Sequence, residues 1–120
     1  MRTFATGATR DDDNYKLDYE GFLSPIVLEC FAEYMHIHRT QPDGTMRDSD
    51  NWQKGMPRCV FIKSLWRHFM DLWLIHRGFP ERARDDVKAA LCGIIFNAMG
   101  YLYEVLLDRD VGEDEEANEC

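Results

Sequence analysis

Apolar and polar residues alternate with helical periodicity along three stretches of this chain. The first stretch follows Ser24-Pro25, a typical helix start, because a serine caps free N–H groups and a proline suits the first helical position. The pattern predicts a helix that runs to about Arg39. Glu29 and Glu33 form a polar stripe beside its apolar stripe.

The other two stretches predict longer helices. The second is expected from near Arg58 to Gly78, since a glycine commonly terminates a helix. The third is expected to begin at Asp85 or Asp86 and to continue to about Leu107, and it is the most apolar of the three.

The remaining segments lack this periodicity. We expect residues 1–24 to form an arm. Residues 40–57 are rich in turn-forming glycine and proline, which predicts a structured loop. The acidic composition of residues 108–120 predicts a disordered tail. The expected fold is therefore an all-α, compact bundle of three main helices. It forms one domain over residues 1–107 that includes the N-terminal arm, which Tyr15 and Leu17 can anchor to the core, and the tail lies outside this domain.

The composition and charge of the chain limit the classes of function that fit it. The chain has 120 residues, 45% of them hydrophobic, which suits one globular domain, and its formal net charge of −8 argues against a surface built for nucleic-acid phosphates. Free nucleotides remain eligible ligands. The amino end does not resemble a signal peptide and no apolar run of membrane-spanning length is expected, so we expect a cytoplasmic protein with no membrane partner.

The four cysteines are widely spaced along the chain and include no Cys-x-x-Cys pair: Cys30, Cys59, Cys92 and Cys120. They are expected to be ordinary reduced cysteines, and a zinc site built from cysteine is not expected.

Two pairs of ionisable residues have the spacing of a helix-borne metal site. Glu29 and Glu33 stand four apart on the first helix, while His68 and Asp71 stand three apart on the second. Three carboxylates and an imidazole on packed helices would resist burial unless a divalent cation lay between them. The alternative is that Glu29 and Glu33 lie on a solvated helix face and that His68 is a structural histidine.

Further residues suit substrate contacts. The loop over residues 47–55 combines Trp52 with donors and acceptors, as a site for a base, sugar or phosphate does, although the tryptophan could equally plug a core. Arg67 beside His68 supplies a cation for a phosphate. In the third helix, Asn97 needs a polar partner, from helix packing or from a ligand.

Several segments together resemble one family, the bacteriophage dATP/dGTP diphosphohydrolase N-terminal domain, which is related to the MazG-like all-α nucleotide pyrophosphohydrolases. The resemblance spans about residues 4–107 and is carried by Thr6-Gly7-Ala8, Lys16-Leu17-Asp18, Ser24-Pro25, Leu28-Glu29, Asp50-Asn51-Trp52-Gln53-Lys54-Gly55, Trp66-Arg67-His68 and Phe96-Asn97-Ala98.

This resemblance implies an enzyme that uses Mg²⁺, or Mn²⁺, to cleave a purine (deoxy)nucleoside triphosphate to the monophosphate and pyrophosphate. It implies metal ligands at Glu29, Glu33 and Asp71, with His68 as a ligand or general base and Asp86 or Asn97 in support. It also implies phosphate contacts from Lys16, Lys54 and Arg67, with Asn51 and Trp52 beside the rest of the substrate. The chain departs from the family pattern in two places, because Leu28 replaces one of two adjacent glutamates and His68 stands where a carboxylate is usual.

The resemblance further implies a homodimer or higher homo-oligomer, since MazG-like proteins associate to complete their helical cores. A role in nucleotide-pool control in a phage-infected host cytoplasm follows from it as well. Two other functions fit the same sequence: a nucleotide-binding module without catalysis, and a phage-encoded helical interaction protein.

Overall fold

A computed structural model describes residues 1–112 and residue 120 of the chain. It is mostly helical, which confirms the expected all-α class. The helices are α1 (Tyr19–Phe22), α2 (Pro25–Ile37), α3 (Arg58–His76) and α4 (Val87–Leu106), and the strands β1 (Arg2–Thr3) and β2 (Thr9–Arg10) pair as a small antiparallel hairpin.

The helix starts follow the local capping chemistry. The Ser24 hydroxyl accepts a hydrogen bond from the Val27 amide at 3.3 Å, and Pro25 is the first residue of α2. Asp86 caps α4 by accepting from the Ala89 amide at 2.9 Å. Of the two predicted starts for the third helix, Asp86 is therefore the capping residue.

The contact between α3 and α4 is the main packing interaction of the chain. Phe61 on α3 is 1% exposed, and its ring lies directly against Gly100, where a methyl group would overlap it. The imidazole of His68 lies against Gly93 in the same way. Small residues on α4 therefore allow aromatic rings of α3 to approach its backbone.

The chain as a whole is elongated, and the expectation of a compact bundle is wrong. Its radius of gyration is 19.5 Å, against about 14 Å for a compact domain of this length. Helix α2 touches α4, where Cys30 Sγ and Cys92 Sγ lie 4.0 Å apart, but it leaves much apolar surface uncovered. The arm is also exposed, including Tyr15 and Leu17, which the sequence suggests as core anchors.

The segment after α4 begins in a fixed conformation instead of a free tail. The Arg58 amide donates to Asp110 Oδ1 at 3.0 Å, and Arg58 Nε donates to the Arg109 carbonyl at 3.1 Å. Cys59 and Cys120 form a disulfide, so the expectation that all four cysteines are reduced is wrong for this pair. The predicted disorder of residues 113–119 lies outside the described residues.

Helix α4 is long and apolar enough to cross a membrane by length and composition, contrary to the expectation from sequence. Part of this helix packs against the rest of the chain. Two of its polar residues, Asn97 and Glu104, are buried within the chain, and Phe61 of α3 packs against Gly100. About a third of the apolar window of α4 (33%) is buried within the chain.

Candidate functional site

Three metal-ligating side chains meet at the junction of α3 and the segment before α4. One potential ligand atom from each of His68, Asp71 and Asp85 lies within 4.8 Å of the others. His68 and Asp71 stand one turn apart on α3, and Asp85 directly precedes the residue that caps α4. We call these three residues the His–Asp–Asp group.

Asp71 is a buried carboxylate held by one arginine. Its side chain is 4% exposed and accepts hydrogen bonds from the Arg84 guanidinium, at 2.8 Å from Nη2 and 3.1 Å from Nε. The Arg84 backbone amide donates to it as well, at 3.1 Å. These hydrogen bonds lower the pKa of Asp71 despite its burial, so the carboxylate stays ionised.

His68 contributes a nitrogen without a protein partner. Its Nδ1 is buried and forms no hydrogen bond with any described residue. Burial lowers the pKa of His68, and the nearby Arg84 charge lowers it further. A neutral imidazole is therefore favoured at neutral pH, and it offers a lone pair to a cation or to a proton.

A cavity of about 330 Å³ lies between the end of α2, the following loop and α4. Its lining combines aromatic and sulfur-containing walls with charged and polar groups, namely Tyr34, Met35, His38, Arg39, Arg47, Asp48, Ser49, Asn51, Trp52, Met56 and Phe96. Its volume and mixed lining are those of a small-molecule site.

Tyr34 connects this cavity to the His–Asp–Asp group. It lines the cavity, and its pKa is raised first by burial and then by the negative charge of Asp85. The opposite charge of Arg84 acts on the same hydroxyl. Tyr34 thus lines the cavity and lies within electrostatic range of Asp85 and Arg84.

The structure does not bring Glu29 and Glu33 to this group. Cys30 and Tyr34 point towards α4, and each glutamate precedes one of them by a single residue, which is a rotation of about 100° around the helix. Both glutamates are exposed and line a shallow groove with Ala32, His36 and Ile37. Within one chain, the expected four-residue metal site is not assembled.

Two other predicted supporting ligands have structural partners instead. Asp86 caps α4, as described above. Asn97 is 3% exposed and donates from Nδ2 to the Gly93 carbonyl at 2.7 Å, so it finds a partner within its own helix. Neither belongs to the His–Asp–Asp group.

The predicted substrate residues divide into two sets. Asn51 and Trp52 line the cavity. Lys54 forms an ion pair with Asp48 at 3.7 Å, Arg67 is exposed next to His68, and Lys16 lies in the exposed arm. The expected phosphate contacts of these three cations find no support in the cavity lining.

Sequence reasoning misses the roles of Arg84, Asp85 and the buried Glu104. Arg84 lies thirteen residues from its partner Asp71, a separation that carries no periodic signal. Glu104 is fully buried, pairs with Arg109, and accepts from the Met56 amide at 3.4 Å. Two adjacent aspartates before an apolar helix are a signal for Asp85, since only one of them can be the cap.

Comparisons with known proteins find no match to this chain. No family model matches the chain, and neither a curated protein nor a solved structure matches it.

Proposed function

We propose that this protein is a metal-dependent nucleoside triphosphate pyrophosphohydrolase of the dATP/dGTP diphosphohydrolase type. The observation that supports this most directly is the His–Asp–Asp group beside a cavity lined by Trp52 and two arginines. The resemblance described from the sequence supports the same reaction.

The group has the donors that a divalent cation needs. Ligand atoms that share one magnesium-sized ion lie about 3–4 Å apart, and the three candidate atoms lie within 4.8 Å of one another. His68 Nδ1 has no hydrogen-bond partner among the described residues, but it lies against Gly93 of α4. A histidine among the donors favours Mn²⁺ more than an all-oxygen site would.

Each of these side chains then has a defined role in the reaction. His68, Asp71 and Asp85 would hold the ion, which supplies charge neutralisation at the phosphates and a more acidic bound water. A water oxygen attacks the α-phosphorus, the bond to the bridging oxygen breaks, and pyrophosphate leaves. Trp52 offers an aromatic surface to the base, and the apolar cavity walls exclude water from the ligand.

We also propose that two chains associate through an apolar face formed by α3 and α4. Exposed large side chains form a row with helical spacing along each helix: Ile62, Trp66, Phe69, Met70 and Trp73 on α3, and Leu91, Ile95, Leu102 and Val105 on α4. The two rows adjoin in a groove lined by residues from both helices. We call this surface the α3/α4 face.

A second copy is the occupant that this face fits best. An apolar face favours an equally apolar partner surface, and a chain of net charge −8 would otherwise be matched by a basic partner. The elongated single chain gains a compact core when two α3–α4 pairs form a four-helix arrangement. Such a dimer has the self-complementary contacts of a twofold interface.

The reaction is tested by product analysis across ribo- and deoxyribonucleoside triphosphates, with Mg²⁺, with Mn²⁺ and with a chelator. We expect metal-dependent formation of monophosphate and pyrophosphate. The Asp85→Asn variant should lose most of this activity, whereas Glu20→Gln, which removes an exposed carboxylate of α1, should keep it. Loss in Glu33→Ala with full activity in Asp85→Asn would overturn the assignment of the metal centre and return it to α2.

A non-catalytic nucleotide-binding module is the second candidate. The observation that favours it is the occupied state of Asp71, whose two carboxylate oxygens already accept hydrogen bonds from Arg84. A cation would have to compete with this guanidinium. Tight nucleotide retention without turnover in either metal would support the binding module and contradict the hydrolase.

A further inference from the structure

Two arginines brace the loop that closes one end of the cavity. Arg39 Nε donates to the Arg47 carbonyl at 2.8 Å, and Arg47 Nη1 donates to the His38 carbonyl at 2.9 Å. The Arg47 amide also donates to the Arg39 carbonyl at 2.8 Å. These bonds use only part of each guanidinium, and they fix both groups in the cavity wall.

Within the described part of the chain, neither guanidinium forms an ion pair. Three other arginines do: Arg2 with Asp13, Arg84 with Asp71, and Arg109 with Glu104. The carboxylate in the cavity lining, Asp48, is paired with Lys54 instead. A chain of net charge −8 thus places two positive groups, without acidic partners there, in one small cavity.

The rest of the cavity suits the other half of a nucleotide. Trp52 is held edge-on by Phe96, with ring centroids 6.2 Å apart, and by Tyr103 at 5.0 Å. A fixed, partly exposed indole offers an apolar surface to a base. Guanidinium groups bind phosphate oxygens through paired N–H donors.

We infer that Arg39 and Arg47 bind the terminal phosphates of a nucleoside triphosphate in this cavity. The inference rests on the proposed function and assigns residues that the family resemblance leaves out. Tyr34 lies within α2, and Arg39 follows the C-cap of that helix, five residues further along the chain. The reacting phosphate then lies at the Tyr34 end, and the departing pyrophosphate lies at the arginine end.

This placement gives the arginines two effects. They neutralise charge that builds up on the pyrophosphate as it leaves, and they discriminate a triphosphate from a monophosphate, which lacks the groups they contact. Neither effect requires a contact to the base. Binding should therefore strengthen with the number of phosphates, whatever the base.

The test is calorimetric titration of the full chain with deoxyadenosine, dAMP, dADP and dATP in the presence of a chelator, which prevents turnover. We expect the affinity to rise along this series. Arg39→Gln and Arg47→Gln should each weaken dATP binding by about tenfold or more, the usual scale for a hydrogen bond to a charged group, and leave deoxyadenosine binding unchanged. Arg77→Gln, an exposed arginine at the end of α3, is the matched control.

A purely structural role for the two arginines would weaken deoxyadenosine and dATP equally, and that result would overturn the inference. Equal affinity of the wild type for all four ligands would overturn it as well. Hydrolysis that is unaffected in both variants would remove the inference and leave the proposed function standing. Phosphate-dependent binding without hydrolysis in Mg²⁺ or Mn²⁺ would support the role of the two arginines and overturn the proposed hydrolase function.

Discussion

Asp71 shows how a single buried charge depends on one partner. Its carboxylate is 4% exposed and receives two kinds of donor from Arg84, the guanidinium and the backbone amide. The Arg84→Ala variant keeps the amide but leaves the buried charge without its counter-ion. We expect a loss of about 2–3 kcal/mol in the free energy of unfolding, measured by urea denaturation.

The control for this variant is Arg82→Ala, which removes an exposed arginine two residues away. It should change the free energy of unfolding by less than about 0.5 kcal/mol. Equal effects of the two substitutions would show that the Asp71–Arg84 pair does not stabilise the fold.

A second prediction about a single residue concerns Asp43, in the loop between Arg39 and Arg47. The Thr45 hydroxyl and amide donate to its Oδ1 at 2.6 and 3.0 Å, and these bonds lower the pKa of Asp43. The stabilisation is present above the ordinary pKa of an aspartate and is lost as pH falls through the lowered value. Thr45→Ala removes the hydroxyl donor, so we expect the Asp43 pKa to rise towards its ordinary value in an NMR titration, and an unchanged pKa would contradict this cause.

Residue types and short spacings predict only part of the candidate site. His68 and Asp71 stand one helical turn apart, so periodicity is enough to place them together. Arg84 and Asp85 join them through a turn between two helices, and no periodic pattern encodes such a contact. The arginines of the cavity are hidden for the same reason, because they meet through a loop.

At the scale of elements, the α3–α4 contact depends on glycine. Gly100→Ala should raise helix propensity by about 1 kcal/mol, yet its methyl group would overlap the buried Phe61 ring. Overpacking of this kind costs about 1–3 kcal/mol, so we expect net destabilisation in urea denaturation. The double variant with Phe61→Leu, which makes room for the methyl group, should show a favourable coupling energy.

A Gly100→Ala variant at least as stable as the wild type, or a cycle without coupling, would contradict this close packing. The gain in helix propensity would then outweigh the steric overlap between the added methyl group and the Phe61 ring.

Helix existence and helix starts follow from local sequence, and helix faces do not. Capping by Ser24 and Asp86 is a local interaction, which is why the starts of α2 and α4 agree with the predictions. The two stripes of α2 are both visible in the sequence. Which of them meets α4 depends on the partner helix, and the structure turns Cys30 and Tyr34 inward in place of Glu29 and Glu33.

At the scale of the whole molecule, the exposed α3/α4 face predicts self-association. We expect light scattering coupled to size-exclusion chromatography to give about twice the chain mass of 14.1 kDa. Trp66→Glu places a charge in the centre of the face and should shift the protein to the monomer, while Tyr15→Glu, at a fully exposed aromatic residue of the arm, should not. A monomeric wild type would contradict the proposed dimer.

Composition and periodicity do not determine this overall shape. They show that α3 and α4 carry apolar residues on more than one side, and that amount of apolar surface suits a compact bundle. The sequence pattern does not tell whether a second apolar stripe is covered by the same chain or by another. The elongated form, in which α2 packs against α4, is for that reason a finding of the structure.

The central claim is that the cavity beside His68, Asp71 and Asp85 hydrolyses a nucleoside triphosphate at its α-phosphorus. The measurement that tests it most directly is mass spectrometry of the products formed from dATP and Mn²⁺ in ¹⁸O-labelled water, for the wild type and Asp85→Asn. We predict one ¹⁸O atom in dAMP, unlabelled pyrophosphate, and little product from the variant. Inorganic phosphate with dADP, label in the pyrophosphate, or an undiminished Asp85→Asn enzyme would contradict the account.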